Sequence, residues 1–242
     1  RWLAGPIAAH VLGDPSRQMP VIGVTGTNGK STVTTLVEQM ARADGRRVLA
    51  GGNLGEPALD LLERSDTDLY VLELSSFQLE TTSHLRLVGG VVLNVSSDHM
   101  DRYASMRQYA DAKARIYEHA ATAVLNIDDP LVAGMRRAGK PTLTYSVERA
   151  DADFTLPMGA AGRVLTRHGE PLLPLSSLKI AGLHNASNAL AALALAETAG
   201  LSRAAMLRAL QQFTGLAHRS QWVAEIDGVA YLNDSKGTNV GA

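Results

Sequence analysis

The segment VTGTNGKST, residues 24–32, carries two glycines, one lysine and two adjacent hydroxyls where the apolar run VIGV ends. A loop this poor in side chains, with one positive charge at its end, suits a phosphate chain. Backbone N–H groups wrap the phosphates, the lysine reaches the outer ones, and a hydroxyl holds Mg2+. Gly29, Lys30 and Ser31 match the general Gly-x-x-x-x-Gly-Lys-Ser/Thr loop, but Val24 stands where the first glycine belongs and Gly26 follows two positions later. A helix beginning at Lys30 would point its positive end at the same phosphates. The alternative at this level is a glycine-rich strand-to-helix turn with no ligand.

A metal–phosphate site needs carboxylates near the loop. Glu73 lies at the end of LYVLEL, an apolar stretch with no other charge. A carboxylate buried there must be paired or bound to a metal; the other reading has it emerging into solvent at the strand end. NVSSDHMDRY sets Asp98, His99 and Asp101 just after the apolar GGVVLNV. His99 in that setting reads as a metal ligand, a proton carrier or a structural histidine. Lys113, in QYADAKARIY, reads from its own helix as an ordinary surface lysine.

The elements that must position these groups alternate from Met19 to about Tyr145. PVIGVT, RRVLA, LYVLEL, GGVVLNV, TAVLN and PTLTYS have strand character. KSTVTTLVEQMARADG, ALDLLER, SMRQYADAKARIYEHA and DPLVAGMRRAG have helical spacing, with Gly45 as a stop for the first. Such alternation predicts an α/β fold with a mostly parallel sheet flanked by helices. Ligands of such sheets bind at the carboxyl ends of strands, where the polar motifs lie. Residues 151–179 predict a small antiparallel subregion. HNASNALAALALAETAG and SRAAMLRALQQF predict two further helices, the second capped by Ser202. QWVAEI and VAYLND predict a hairpin turning at Asp227-Gly228.

Bulk composition narrows the classes. The chain has 242 residues, 45% hydrophobic and 19% charged, with a net charge of −1. That balance is ordinary for a globular protein and predicts neither a nucleic-acid partner nor a membrane patch. There is no cysteine, which excludes disulfides, zinc–thiolate sites and a thiol nucleophile. No apolar run approaches the roughly 20 residues that span a bilayer. The chain starts at Arg1 and stops soon after a motif-like segment, so it is expected to be part of a longer polypeptide.

TGTNGKST, LELSSFQLE, DHMDRY, HNASNALAA and NDSKGTNVG, in this order, resemble the Mur ligase family over roughly residues 20–242. Within it, LELSSFQLE and DHMDRY are most similar to the branch that adds D-glutamate to UDP-N-acetylmuramoyl-L-alanine. The resemblance implies residues 20–215 as the family's central ATP-binding domain and 216–242 as the beginning of a Rossmann-like carboxyl-terminal domain. Residues 1–19 stay unassigned.

The resemblance also implies a reaction, in the cytoplasm, of peptidoglycan synthesis. ATP phosphorylates a carboxylate to an acyl phosphate, which the amino group of D-glutamate attacks. The competing expectations are a sister ligase with another amino acid or a folate, and an ATP-binding fragment without turnover. A monomer with small-molecule partners is expected.

By position in the motifs, the resemblance implies that residues Gly26, Thr27, Asn28, Gly29, Lys30, Ser31 and Thr32 hold the nucleotide phosphates. Ser31 and Glu73 would hold one Mg2+, and His99 with a carbamylated Lys113 a second. Lys30, His99 and Lys113 would be catalytic. Asn53 and Ser75 would face the muramoyl substrate, and Asn185 and Asn188 the nucleotide near adenine. Arg219 and Lys236 would contact phosphate, Asp234 the ribose, and Thr238 the incoming glutamate.

Overall fold

A computed structural model describes residues 16, 18–64, 66–160, 162–219 and 221–237, with the side chains of 222 and 230 outside the description. Most of the unassigned leading segment, and Thr238, lie outside the described residues. Strand β1 (Val21–Thr25) is buried along its length and runs into the glycine-rich loop, from which helix α1 (Lys30–Ala43) departs. Gly45 takes a left-handed conformation (φ 80°) just past that helix, which is the expected stop.

The chain returns as β2 (Val48–Gly52) and β3 (Leu69–Glu73). Helix α2 (Ser76–Thr81) follows, then β4 (Leu87–Val92), α3 (Met106–Ala114), α4 (Ile116–His119) and β5 (Ala120–Asn126). After the single turn α5 (Pro130–Ala133) come β6 (Thr142–Tyr145) and β7 (Phe154–Thr155). The parallel order is β2-β3-β1-β4-β5-β6-β7. Chain order reverses between β3 and β4, on either side of β1. The carboxyl ends at that switch point form the crevice in which such sheets bind ligands.

Side chains alternate faces with period two. Ile22, Val24, Val71, Val91 and Val124 pack toward α1, α6 (Leu183–Thr198) and α7 (Arg203–Gln212). Val21, Tyr70, Leu72, Val92 and Leu125 pack on the other face, against Leu79 of α2, Tyr109 of α3 and Ile116 and Tyr117 of α4. Ser202 caps α7, accepting from the Ala205 N–H, as its sequence predicts.

Three helical segments depart from the sequence pattern, whereas the antiparallel subregion forms as expected. ALDLLER forms only a 3-10 turn (Asp60–Glu63). DPLVAGMRRAG stops after one turn, with Asp129 capping its start and Gly134 already at its end. SMRQYADAKARIYEHA divides at Arg115, whose guanidinium donates to Leu79 O and Thr82 O. The antiparallel strands β9 (Gly162–Arg167) and β10 (Glu170–Pro174) extend the parallel sheet beyond β7, with the short β8 (Met158–Gly159) paired to β9. The hairpin β11 (Gln221–Ile226) and β12 (Val229–Asn233) forms as expected. Asp227 (φ 51°) and Gly228 (φ 76°) give its turn the two positive φ angles a tight hairpin requires.

The alanine-rich α6 lies close on the sheet. A Cβ on Gly89 of β4 would collide with the Thr198 side chain at the end of α6. Gly89→Ala is therefore expected to cost about 1–3 kcal/mol by overpacking, with part of the loss recovered in the Gly89→Ala/Thr198→Ala double variant. Thermal denaturation of the three variants checks this; purely additive losses would contradict the contact.

Candidate active site

The loop after β1 is shaped by two glycines. Gly26 has φ 151°, and a Cβ there would lie 2.9 Å from Leu93 Cβ at the end of β4. Gly29 is left-handed (φ 83°) at the N-terminus of α1, and a Cβ there would collide with Asn188 Oδ1 of α6. Both positions combine a strained φ with a close neighbour, so glycine is required.

Asn94 fastens the loop to β4. Its backbone carbonyl accepts from the Thr27 N–H (3.0 Å), its Oδ1 accepts from the Asn28 N–H (2.8 Å), and its Nδ2 donates to Asn28 O (3.0 Å). Thr27 Oγ1 accepts from the Ser96 N–H at 3.1 Å. Sequence reading missed Asn94. Its only local signal is a polar residue directly after an apolar strand.

Lys30 Nζ folds back and donates to Gly26 O (3.1 Å) and Thr27 O (2.8 Å). Burial lowers its pKa; Glu73 opposes the shift and Arg219 adds to it. Ser31 and Thr32 are buried at the start of α1. Ser31 Oγ donates to Glu73 Oε2 at 2.8 Å and accepts from Arg219 Nη2 at 3.2 Å. Glu73 is 3% exposed, and its other oxygen accepts from Asn53 Nδ2 at 2.8 Å. The Asn53 N–H also bonds to Glu73 O. Glu73, Ser31, Asn53 and Arg219 thus form one connected group.

Lys113 corrects the surface-lysine reading of its helix. It is 2% exposed, donates from Nζ to Gly26 O at 2.9 Å, and lies 4.4 Å from the centre of the Tyr109 ring. Its pKa is brought down to about 7, first by burial and then by the neighbouring Lys30 ammonium.

His99 is half-exposed and left-handed (φ 55°). Its imidazole meets Phe77 (5.1 Å) and Tyr109 (6.1 Å) edge-on, with Asp98 Oδ2 3.8 Å from Nε2. Tyr109 thus lies between His99 and Lys113.

The remaining residues are distributed unevenly. Asn188 abuts Gly29 of the glycine-rich loop and reaches Asn185 Oδ1 (3.4 Å), while Asn185 Nδ2 donates to Ala181 O. Ser75 caps α2, exchanging hydrogen bonds with Gln78 in a capping box. Asp234 and Lys236 lie on the exposed end of the hairpin segment, where the Lys236 N–H bonds to His218 O beside Arg219.

Among the described residues, no three His, Asp or Glu side chains gather as a metal cluster. The Asp98-His99-Asp101 stretch is therefore not a self-sufficient metal site. Ser31 and Glu73 nevertheless fit Mg2+: the cation takes hard oxygen ligands and commonly needs only one or two carboxylates beside phosphate oxygens. Glu73 is buried, and both its oxygens accept from neutral donors, a hydroxyl and an amide.

The family model described as the Mur ligase middle domain matches residues 24–196. A UDP-N-acetylmuramoylalanine–D-glutamate ligase of Nitrosococcus oceani is 57% identical over 224 residues, 92% of this chain and 49% of that protein. The protein of the same name in Methylococcus capsulatus is 51% identical, again over 92% and 49%. The chain spans about half the length of the curated relatives it matches. Among solved structures, a UDP-N-acetylmuramoyl-L-alanyl-D-glutamate–2,6-diaminopimelate ligase superposes with a TM-score of 0.70 at 27% identity, over 86% of this chain and 49% of that one. MurF from Acinetobacter baumannii shares the fold, with a TM-score of 0.76 at 23% identity over 96% and 54%.

The burial of Lys113 has a sign that can be measured. The folded chain holds this group neutral above about pH 7, whereas an unfolded lysine stays charged to about pH 10. The unfolded state binds the extra proton in that window, so stability rises with pH from about 7 to about 10 on account of Lys113. Lys113→Met is expected to raise the melting temperature at pH 6, with the gain shrinking as pH approaches 10. A gain that stays constant across that range would contradict the assignment.

Proposed function

The chain belongs to the Mur ligase family by its middle domain, and from that premise we propose that it is the nucleotide-binding core of an ATP-dependent ligase joining D-glutamate to UDP-N-acetylmuramoyl-L-alanine. The observation that carries the reading is the convergence of Lys30, Ser31, Glu73 and Lys113 around the Gly26 loop at the switch point of the sheet. The relatives that bear the D-glutamate name support the amino-acid choice.

A carboxylate acylates an amine poorly because its leaving group is oxide, so the reaction requires activation as an acyl phosphate. On this reading the loop N–H groups and the start of α1 receive the phosphates of ATP. Lys30 exchanges the carbonyls of Gly26 and Thr27 for phosphate oxygens. Ser31 and Glu73 would hold Mg2+, which when bound neutralises charge on the transferring phosphoryl group. Arg219, bonded to Ser31, adds a second positive group at the same edge. Asn53 fixes the orientation of Glu73. The protein's contribution is positioning and charge compensation.

Lys113 suits the carbamate that the resemblance implies. An amine with a pKa of about 7 is substantially neutral at physiological pH and is nucleophilic toward CO2; the addition forms an N–C bond and releases one proton. With His99, the resulting carboxylate would serve a second cation. We assign residues 216–242 to the opening of the carboxyl-terminal domain, with Asp234, Lys236 and Thr238 as its nucleotide and glutamate contacts. Absence of cysteine and dependence on ATP both fit a cytoplasmic enzyme.

Lys30→Ala is expected to abolish Mg·ATP binding by the chain in isothermal calorimetry, and an unchanged affinity would overturn the phosphate-loop assignment. In the complete ligase, a panel of amino acids is expected to give phosphate release with D-glutamate; release with another amino acid alone would overturn the substrate reading.

A further inference from the structure

The motif LELSSFQLE runs from the end of β3 into α2, DHMDRY follows β4, and the two are cross-linked by side chains that the proposed mechanism leaves unused. Glu80, on α2, accepts from Arg102 Nη2 at 2.5 Å through one oxygen and from Tyr103 Oη at 2.8 Å through the other. Phe77, three residues earlier and so on the same side of the helix, stacks with Tyr103 at 6.2 Å and carries the Arg102 guanidinium 4.9 Å from its ring centre. The same ring meets the His99 imidazole edge-on at 5.1 Å. The backbone closes the circuit, because His99 O accepts from the N–H groups of both Arg102 and Tyr103.

Helix α2 is itself held firmly. The Ser75–Gln78 capping box closes its start, and Arg115 donates to Leu79 O and Thr82 O at its end. A helix of six residues would not persist alone, so these ties make it a fixed platform. His99, by contrast, is half-exposed and sits in a backbone region that non-glycine residues rarely occupy. Such a conformation persists only when its surroundings impose it.

We propose that Glu80 is a positioning residue: by clamping Arg102 and Tyr103 it holds the His99 turn and presses the imidazole against Phe77, fixing the direction in which His99 faces the phosphate loop. The inference rests on the assignment of His99 to the active site. It predicts that the ion pair of Glu80 with Arg102, although near the surface, matters more to the imidazole than to overall stability, since exposed pairs contribute little to folding.

The test is an NMR measurement on the 242-residue chain with labelled histidines, His99 being identified by its loss in His99→Asn. In the unsubstituted chain the His99 ring protons are expected to be displaced by the Phe77 and Tyr109 rings. Phe77→Leu marks the displacement owed to the ring itself. Glu80→Ala is expected to lose most of that same displacement, and Glu80→Gln, which keeps size and one acceptor, a smaller part. Glu38→Ala, which breaks the separate pair with Arg42, is expected to leave it unchanged. His99 signals that move in Phe77→Leu but stay in place in Glu80→Ala would overturn the clamp; if Glu80→Ala does not fold, the same criterion applies to Glu80→Gln.

A second arm adds Mn2+ with ATP. Broadening of His99 in the unsubstituted chain, weakened in Glu80→Ala, supports both the metal reading and the clamp. No broadening in the unsubstituted chain would count against the metal reading alone, because the ring displacement needs neither metal nor nucleotide.

Discussion

Two lysines from different helices donate to one backbone carbonyl, that of Gly26, and much of the structure is arranged around this convergence. The carbonyl is available because Gly26 adopts a φ that side chains disfavour and lets Leu93 approach its Cα. That approach fixes where β4 ends relative to β1, and Asn94 then bonds the loop from the next position. Helix α3 must run deep enough to bury Lys113, which it does by placing Tyr109, Ala110 and Ala112 in the apolar core that also holds Leu79 of α2 and Ile116 and Tyr117 of α4. Bringing two ammonium groups together out of water is costly. The chain meets part of that cost by bringing the Lys113 pKa down to about 7, so that the group is neutral for much of the time at that pH and above it.

The opposite charge is close but separately held. Glu73 enters from the other neighbour of β1, and its two oxygens are taken by Ser31 and Asn53. Cations on one side and a buried carboxylate on the other flank the loop between them, where the phosphate and divalent cation of the proposed function would neutralise both. This division explains why the functional groups come from three strand ends. One loop would not separate the charges, and the parallel sheet sets the three strand ends side by side in the order β3-β1-β4.

Much of this was legible in the sequence where local chemistry determines the outcome. The glycine loop, the alternation of strands and helices, the Ser202 cap and the Asp227-Gly228 turn all depend on residues near in sequence. For Glu73 the apolar strand leaves two readings, a paired buried carboxylate or one emerging into solvent, and the structure buries and pairs it. The burial of Lys113 could not be read, since AKA in a helix carries no mark of it; only the packing of α3 into the apolar core supplies it. The contact of Asn188 with Gly29 and the clamp of Glu80 on Arg102 and Tyr103 join segments distant in sequence, so no local pattern encodes them. DPLVAGMRRAG has helical spacing yet its helix ends at Ala133, with Gly134 at the C-cap.

The account turns on Lys30 being a phosphate ligand that rests on its own loop. The most direct measurement is a crystal structure of the chain with Mg2+ and a non-hydrolysable ATP analogue. The account predicts that Lys30 Nζ leaves the carbonyls of Gly26 and Thr27 for the outer phosphate oxygens, with the cation against Ser31 Oγ and Glu73. A structure in which the nucleotide binds elsewhere while Lys30 keeps both carbonyl bonds would contradict it.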